Sequence, residues 1–342
     1  MTTRELLTEA LNGRTPDTTP LSFYSWMVPD VTADPIRRLL DQGMGLCHHC
    51  PVVKEVEHGV KNSAEDRVEG HHHYRIQRKE TPAGTIQRVT LNGWHHEDWI
   101  KTPQDYTVRQ WIVENTELVP DYEAFERADA VAGDCGVPVI TGSRTPAMSI
   151  NVDWAGTQQF CLDVAVELDE LMALFEAEKK QFLEETRLIA AGPGRFVKWF
   201  ENLTINMLGP QRYKDLLVSV YDEAVPILDA AGKRVMVHYD GALKVIADQI
   251  ARAPFHMVES LTEPPEGDMT YDECRAVWPD KVLWGNVNVD LYHAPEAELR
   301  EAIAAKRERA GKRGFAFEIS EDWPATWETC MPIILDTLRE LG

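Results

Sequence analysis

The chain has 342 residues, 44% of them hydrophobic, enough to bury a large core because the buried share of surface grows with chain size. Lys and Arg number 35 against 56 Asp and Glu, a formal net charge of −21. A surface this acidic repels phosphate backbones and anionic lipid, which argues against nucleic acid and a membrane as partners. No run of about 18 apolar residues could cross a bilayer. The polar start, Met1 to Leu11, lacks the basic-then-apolar order of a secretion signal, so a soluble cytoplasmic protein is expected.

In chain order, Leu21–Met27 (LSFYSWM) is a short aromatic and apolar run after a proline and reads as a buried strand. Asp34-Pro35 ahead of Ile36, Leu39 and Leu40 opens a helix. Cys47-His48-His49-Cys50 holds the one close cysteine pair. No second Cys/His pair follows at zinc-finger spacing, so these residues read as loop lining a pocket mouth. His73–Lys79 and Thr85–Leu91 alternate around Pro82-Ala83-Gly84, the pattern of a β-hairpin. Pro103–Asn115 and Asp121–Ala128 are short helices. From Gly136 the pattern becomes regular. Strands at Gly136–Gly142, Phe196–Phe200, Arg234–Val237, Phe255–Val258, Val282–Trp284 and Phe315–Phe317 alternate with helices at Leu162–Ala191, Gln211–Ala231, Leu243–Ala253, Tyr271–Val277, Pro295–Ala310 and Trp327–Leu341.

Short apolar strands joined by helices require right-handed crossovers and a parallel sheet. An open doubly wound sheet and a closed eight-stranded barrel both satisfy this. No glycine-rich phosphate fingerprint follows any strand, which weakens a nucleotide-binding open sheet. Polar residues end five strands in a row: Glu201/Asn202, His238/Asp240, Glu259, Asn286 and Glu318/Glu321. A barrel brings such residues to one mouth, where barrels carry their chemistry. The expected fold is an α/β (β/α)8 barrel, a single domain over 1–342. A long insertion at about 46–134, carrying the hairpin, is expected to cover the mouth.

The sharpest segment is VMVHYDG, ending in His238-Tyr239-Asp240-Gly241. In extended chain His238 and Asp240 point to the same side and could address one metal or one substrate. A histidine and carboxylates suit zinc, with Glu259, Glu318 or Glu321 as further ligands. The plainer reading makes His238 a satisfied core histidine and Asp240 a helix cap. Glu201 and Asn202 could bind substrate or hydrogen-bond the helix that follows. Asn286 offers an amide to a substrate, or sits in a tight turn. Tyr239 and Trp323 complete the candidate substrate contacts.

Four segments, GKRVMVHYDG, ESLTEPPEGDMT, DKVLWGNVN and EISEDWP, resemble in content and order the uroporphyrinogen decarboxylase superfamily. KTPQDYTV and PVITG carry the likeness back to about Lys101. The group includes the haem-pathway decarboxylase and zinc-dependent methyltransferases that work with corrinoid proteins, all on an eight-stranded α/β barrel. The true decarboxylase has an arginine-rich segment after its first strand. Here that place reads LSFYSWM, which would leave a polycarboxylated tetrapyrrole unpaired. The thiol-methylating branch carries His-x-Cys-Gly at the fifth strand and a second Cys after the eighth. Here Asp240 replaces the first Cys, and the second falls near Ser320.

The resemblance therefore implies a methyltransferase of the demethylating branch. It would move a methyl group from a small methoxylated donor to a corrinoid carried by a partner protein. Zinc would be held by His238, Glu259, Glu318 and Glu321, with His238, Asp240 and Glu321 catalytic. Two other functions stay open: a metal-free decarboxylase or lyase acting on a small carboxylic acid, and a non-catalytic binding protein of the same fold.

Overall fold

The computed structural model describes residues 1–319 and 322–342; the expected catalytic and metal-ligand roles of Glu321 lie outside the described residues. Fourteen strands are described: β1 (Leu21–Tyr24), β2 (Gly45–Cys50), β3 (Val53–Glu57), β4 (Lys61–Glu69), β5 (His72–Thr81), β6 (Gly84–Leu91), β7 (Trp94–Glu97), β8 (Thr116–Pro120), β9 (Gly136–Gly142), β10 (Phe196–Trp199), β11 (Arg234–His238), β12 (Met257–Leu261), β13 (Val282–Asn286) and β14 (Phe315–Glu318). Eight of them close into a barrel in the order β1-β14-β13-β12-β11-β10-β9-β2. Every pairing within it is parallel, as the alternation of strands and helices requires.

Side chains alternate between barrel interior and helix layer. Cys47, Val137, Val139, Phe196, Met236, Met257, Val282, Trp284 and Ala316 form one apolar cluster, which is the interior. Leu7, Ala10 and Leu11 of the helix Thr3–Leu11 belong to the same cluster. They close the end where the strands begin: a Cβ on Gly45 would lie 2.9 Å from Leu7. The outward-facing residues, among them Val197, Val235, Val237, Val258 and Leu283, join the larger core beneath the helices.

Several expected elements differ in detail. β1 ends at Tyr24 and gives way to a 3-10 turn, Ser25–Met27. Cys47 to Cys50 are not loop; they form most of β2, paired with β1 and β9. The barrel thus takes in the first residues of the segment expected as an insertion. The long helix expected over Leu162–Ala191 is two helices, Gly156–Ala165 and Asp169–Ala191. They are divided at Glu167, whose φ of 52° no helix tolerates.

Between β2 and β9, β3 pairs with β8, and β4-β5-β6-β7 make an antiparallel sheet containing the expected hairpin. The hairpin turns between Thr81 and Gly84. Its turn rests on the helix Pro103–Glu114, where a Cβ on Gly84 would meet Val108 at 2.9 Å. No helix among the described residues is long and apolar enough to cross a membrane.

Candidate active site at the barrel mouth

Strand parity carries a polar layer above the apolar interior. Tyr24, Lys198, His238, Glu259, Asn286 and Glu318 occupy inward positions on six strands. Lys198 Nζ donates to Glu259 Oε1 at 2.6 Å and to the Tyr24 hydroxyl at 3.0 Å. The other oxygen of Glu259 accepts from His238 Nδ1 at 2.7 Å. Tyr24 donates to Glu318 Oε2, and Glu318 Oε1 accepts from the Ser260 amide at 3.0 Å. Lys198 and Glu259 are 1% and 0% exposed, so their desolvation is offset only because both ends are hydrogen-bonded. The ammonium also lies 4.1 Å from the Tyr24 ring and 4.6 Å from that of Phe200, which adds cation–π attraction.

His238 is the hinge between this buried network and the cavity. Burial and, after it, the nearby Lys198 charge push its pKa down to about 4, so the ring is neutral at physiological pH. With the Nδ1 proton donated to Glu259, Nε2 is the acceptor nitrogen and lies 3.6 Å from Asp240 Oδ2. Two acceptors then face one another, a geometry completed by a shared proton or by a donor on a substrate. Asp240 also accepts from Asn202 Nδ2 at 3.4 Å, and Asn202 accepts from Arg144 at 2.7 Å. Gly241 allows this closeness, since a Cβ there would stand 2.8 Å from the Leu203 carbonyl.

The cavity beside these groups measures about 150 Å³, below the ~300–1,000 Å³ of pockets for drug-sized ligands. Its wall is aromatic on one side. Tyr24 lies 5.7 Å from Trp26 and 4.6 Å from His49, and His49 lies 5.2 Å from Phe200. On the other side Asn286 Nδ2 donates to Ser260 Oγ and Thr262 Oγ1 at 2.9 and 3.0 Å. Asn286 Oδ1 is buried with no partner among the described residues, an acceptor open to a substrate donor. Two non-glycine residues of the lining, Asn202 and Ser260, have φ of 48° and 61°. Left-handed backbone of this kind persists where surrounding structure holds it and clusters at functional sites.

Of the expected site residues, His238, Asp240, Glu259, Glu318, Asn202 and Asn286 come together here. Glu201, Tyr239 and Trp323 do not. Glu201 accepts from Thr145 Oγ1 at 2.8 Å and from Tyr221 at 2.9 Å, away from the cavity. The Tyr239 hydroxyl bonds those of Tyr221 and Tyr213 at 3.0 and 3.1 Å. It sits opposite in parity to His238 and so points into the helix layer. Trp323 packs edge-on to Phe23 at 5.2 Å. Lys198, Tyr24, Ser260 and Arg144 were missed; His49 stands beside the cavity, as expected of a pocket-mouth residue, but on a strand and not a loop. Lys198 carried a signal, a lone cation inside the apolar strand FVKWF, and a cation buried there demands a carboxylate partner.

Two of the expected zinc ligands, Glu259 and Glu318, are already engaged in this arrangement, and Glu321 lies outside the described residues. Glu259 and Glu318 spend both oxygens on hydrogen bonds, and Glu259 is in contact with an ammonium that would repel a cation. Among the described residues, no three His, Cys, Asp or Glu side chains are grouped so as to hold a metal ion.

No family model matches the chain, and no curated protein matches it. Solved structures do. A methyltransferase from Methanosarcina mazei shares 12% identity and a TM-score of 0.61, covering 100% of this chain and 99% of its own. A B12-independent methionine synthase from Shewanella sp. W3-18-1, in complex with selenomethionine, shares 7% identity and a TM-score of 0.50. The coverage there is 95% and 98%. At these identities the likeness is one of architecture: this chain folds as the same kind of closed barrel.

Proposed function

We propose that the chain is a methyltransferase, moving a methyl group from a small methoxylated donor to a corrinoid carried by a separate protein. The observation that carries the reading is the neutral His238, fixed by Glu259 at Nδ1 and turned with Nε2 toward Asp240 at the cavity edge. An ether gives up its methyl group poorly because the leaving oxygen takes the electron pair of the broken C–O bond. As the C–O bond breaks, a proton taken up from solvent at the His238 Nε2–Asp240 pair passes to that oxygen, and the donor departs as the alcohol or phenol. The acceptor supplies the electron pair that forms the new bond to the methyl carbon. Asn286 Oδ1 and the aromatic wall orient the donor, and a cavity of about 150 Å³ suits a small one, with the acceptor presented at its mouth. The methyltransferase neighbour of the same architecture supports the reading.

A second reading, decarboxylation or lysis of a small carboxylic acid, is favoured by Lys198 in the cavity wall and Arg144 at its rim. One experiment separates the two. The purified protein is mixed with a reduced corrinoid protein and a panel of methoxylated compounds, and methyl-corrinoid is followed by absorbance. The expected result is turnover that His238→Ala and Asp240→Asn abolish with the fold intact by circular dichroism. Turnover unchanged in both variants refutes the assignment. Release of carbon dioxide without a corrinoid establishes the second reading instead.

A further inference from the structure

A larger cavity, about 520 Å³, lies outside the barrel between the four-stranded sheet and the π-helix Ile150–Ala155. The strand register explains its floor. Asn62 pairs with Lys79, Ala64 with Gln77, and Gln77 with Arg88, so these side chains share one face of the sheet. The opposite wall holds Trp99 and Trp154, rings 5.9 Å apart. Arg109 lies 3.8 Å from the Trp154 ring and fixes it.

The charges around this cavity are unevenly matched. Lys79 Nζ donates to both oxygens of Glu57 at 2.7 Å. Arg78 reaches Glu65 at 3.3 Å, and Asp153 pairs with Arg144 at 3.3 Å. Arg88 is different. Its Nε donates to Gln77 at 2.7 Å and its guanidinium lies 5.2 Å from the Trp99 ring, but it has no carboxylate partner among the described residues. In a chain with 56 acidic side chains against 35 basic, a half-buried guanidinium without one is unusual.

We propose that this cavity binds an organic anion bearing a flat aromatic ring. The ring lies against Trp99 and Trp154, and the oxyanion takes a forked pair of hydrogen bonds from the terminal nitrogens of Arg88. The volume is within the usual range for such a ligand, ~300–1,000 Å³. This site does not depend on the methyl-transfer reading, because none of its lining residues belongs to the mouth cavity. The two are neighbours, since Asp153 pairs with the Arg144 that donates to Asn202.

The test is isothermal titration calorimetry of the full chain with three probes: naphthoate, its neutral amide naphthamide, and cyclohexanecarboxylate, an anion without a flat ring. Naphthoate is expected to bind one per chain, with the other two at least about tenfold weaker. Arg88→Gln and Trp154→Leu should each weaken naphthoate about tenfold, while Arg88→Lys retains part of the affinity because charge survives without the fork. His238→Ala should bind naphthoate like the parent. Absence of saturable naphthoate binding overturns the proposal, as does unchanged affinity in Arg88→Gln. Loss of binding in His238→Ala would place the probe in the mouth instead and overturn it equally, whatever the methyl-transfer assay shows.

Discussion

Replacing Lys198 with Met tests whether the polar layer is held by its buried cation. The substitution keeps the aliphatic stem and removes the ammonium 2.6 Å from Glu259 and 3.0 Å from Tyr24. Glu259 is 0% exposed, so its charge is left in the interior beside the neutral His238. Removing one partner of such a pair costs about 3–5 kcal/mol, against no more than a small effect for an exposed one. Lys61→Met, which breaks the exposed pair with Glu80, is the control. Urea unfolding read by circular dichroism gives both values. Adding Glu259→Gln to Lys198→Met removes the stranded charge, so the double variant should be less destabilised than the two singles summed. Losing the nearby positive charge should also raise the His238 pKa from its depressed value, visible in an NMR titration of the ring protons. A Lys198→Met protein within about 1 kcal/mol of the parent would refute the reasoning.

Further expectations follow from the same geometry. Asn286→Ala should raise KM about tenfold with little change in kcat, because Oδ1 contacts the donor in ground and transition states alike. Glu201→Gln should leave KM unchanged, since Thr145 and Tyr221 use its oxygens away from the cavity; a large KM effect would return it to the substrate site. Because hydrogen bonds already occupy Glu259 and Glu318, dialysis against a chelator should leave turnover intact; loss restored by zinc would show a metal held by other donors. The pH dependence separates by variant. His238 and His256 have folded pKa values pushed down to about 4, so their contribution is present above about 6.5 and lost as pH falls toward 4. Burial raises Glu185 and Glu201 to about 7, so the folded state takes up their protons first and gains stability as pH falls from 7 toward 4.5. The two effects oppose in one window. Glu185→Gln should therefore gain stability relative to the parent as pH rises from about 4.5 to 7, measured by urea midpoints at each pH. A constant difference would contradict the assignment.

The barrel was legible because alternation of short apolar strands with helices is a local pattern, and polar strand ends marked its mouth. His238 and Asp240 were legible for the same reason, since two-residue spacing places both on one side. β2 was not, because GLCHHC carries inward-facing polar residues that read as loop until the strands beside them are known. Tyr239 and Glu201 were misread through position alone: standing at a strand end does not say which way a side chain turns. Lys198 and Glu259 are 61 residues apart, and only closure of the barrel shows that each is the other's partner. Trp99 and Trp154 meet across the same kind of gap, so the second cavity had no local sign at all.

The fate of an isotope-labelled methoxy group in a single turnover tests methyl transfer most directly. NMR should show the label on the cobalt of the corrinoid protein and the donor released as its hydroxyl form, with neither product formed by His238→Ala. Label that stays on the donor in the presence of active corrinoid protein, or that leaves as free methanol, would contradict it.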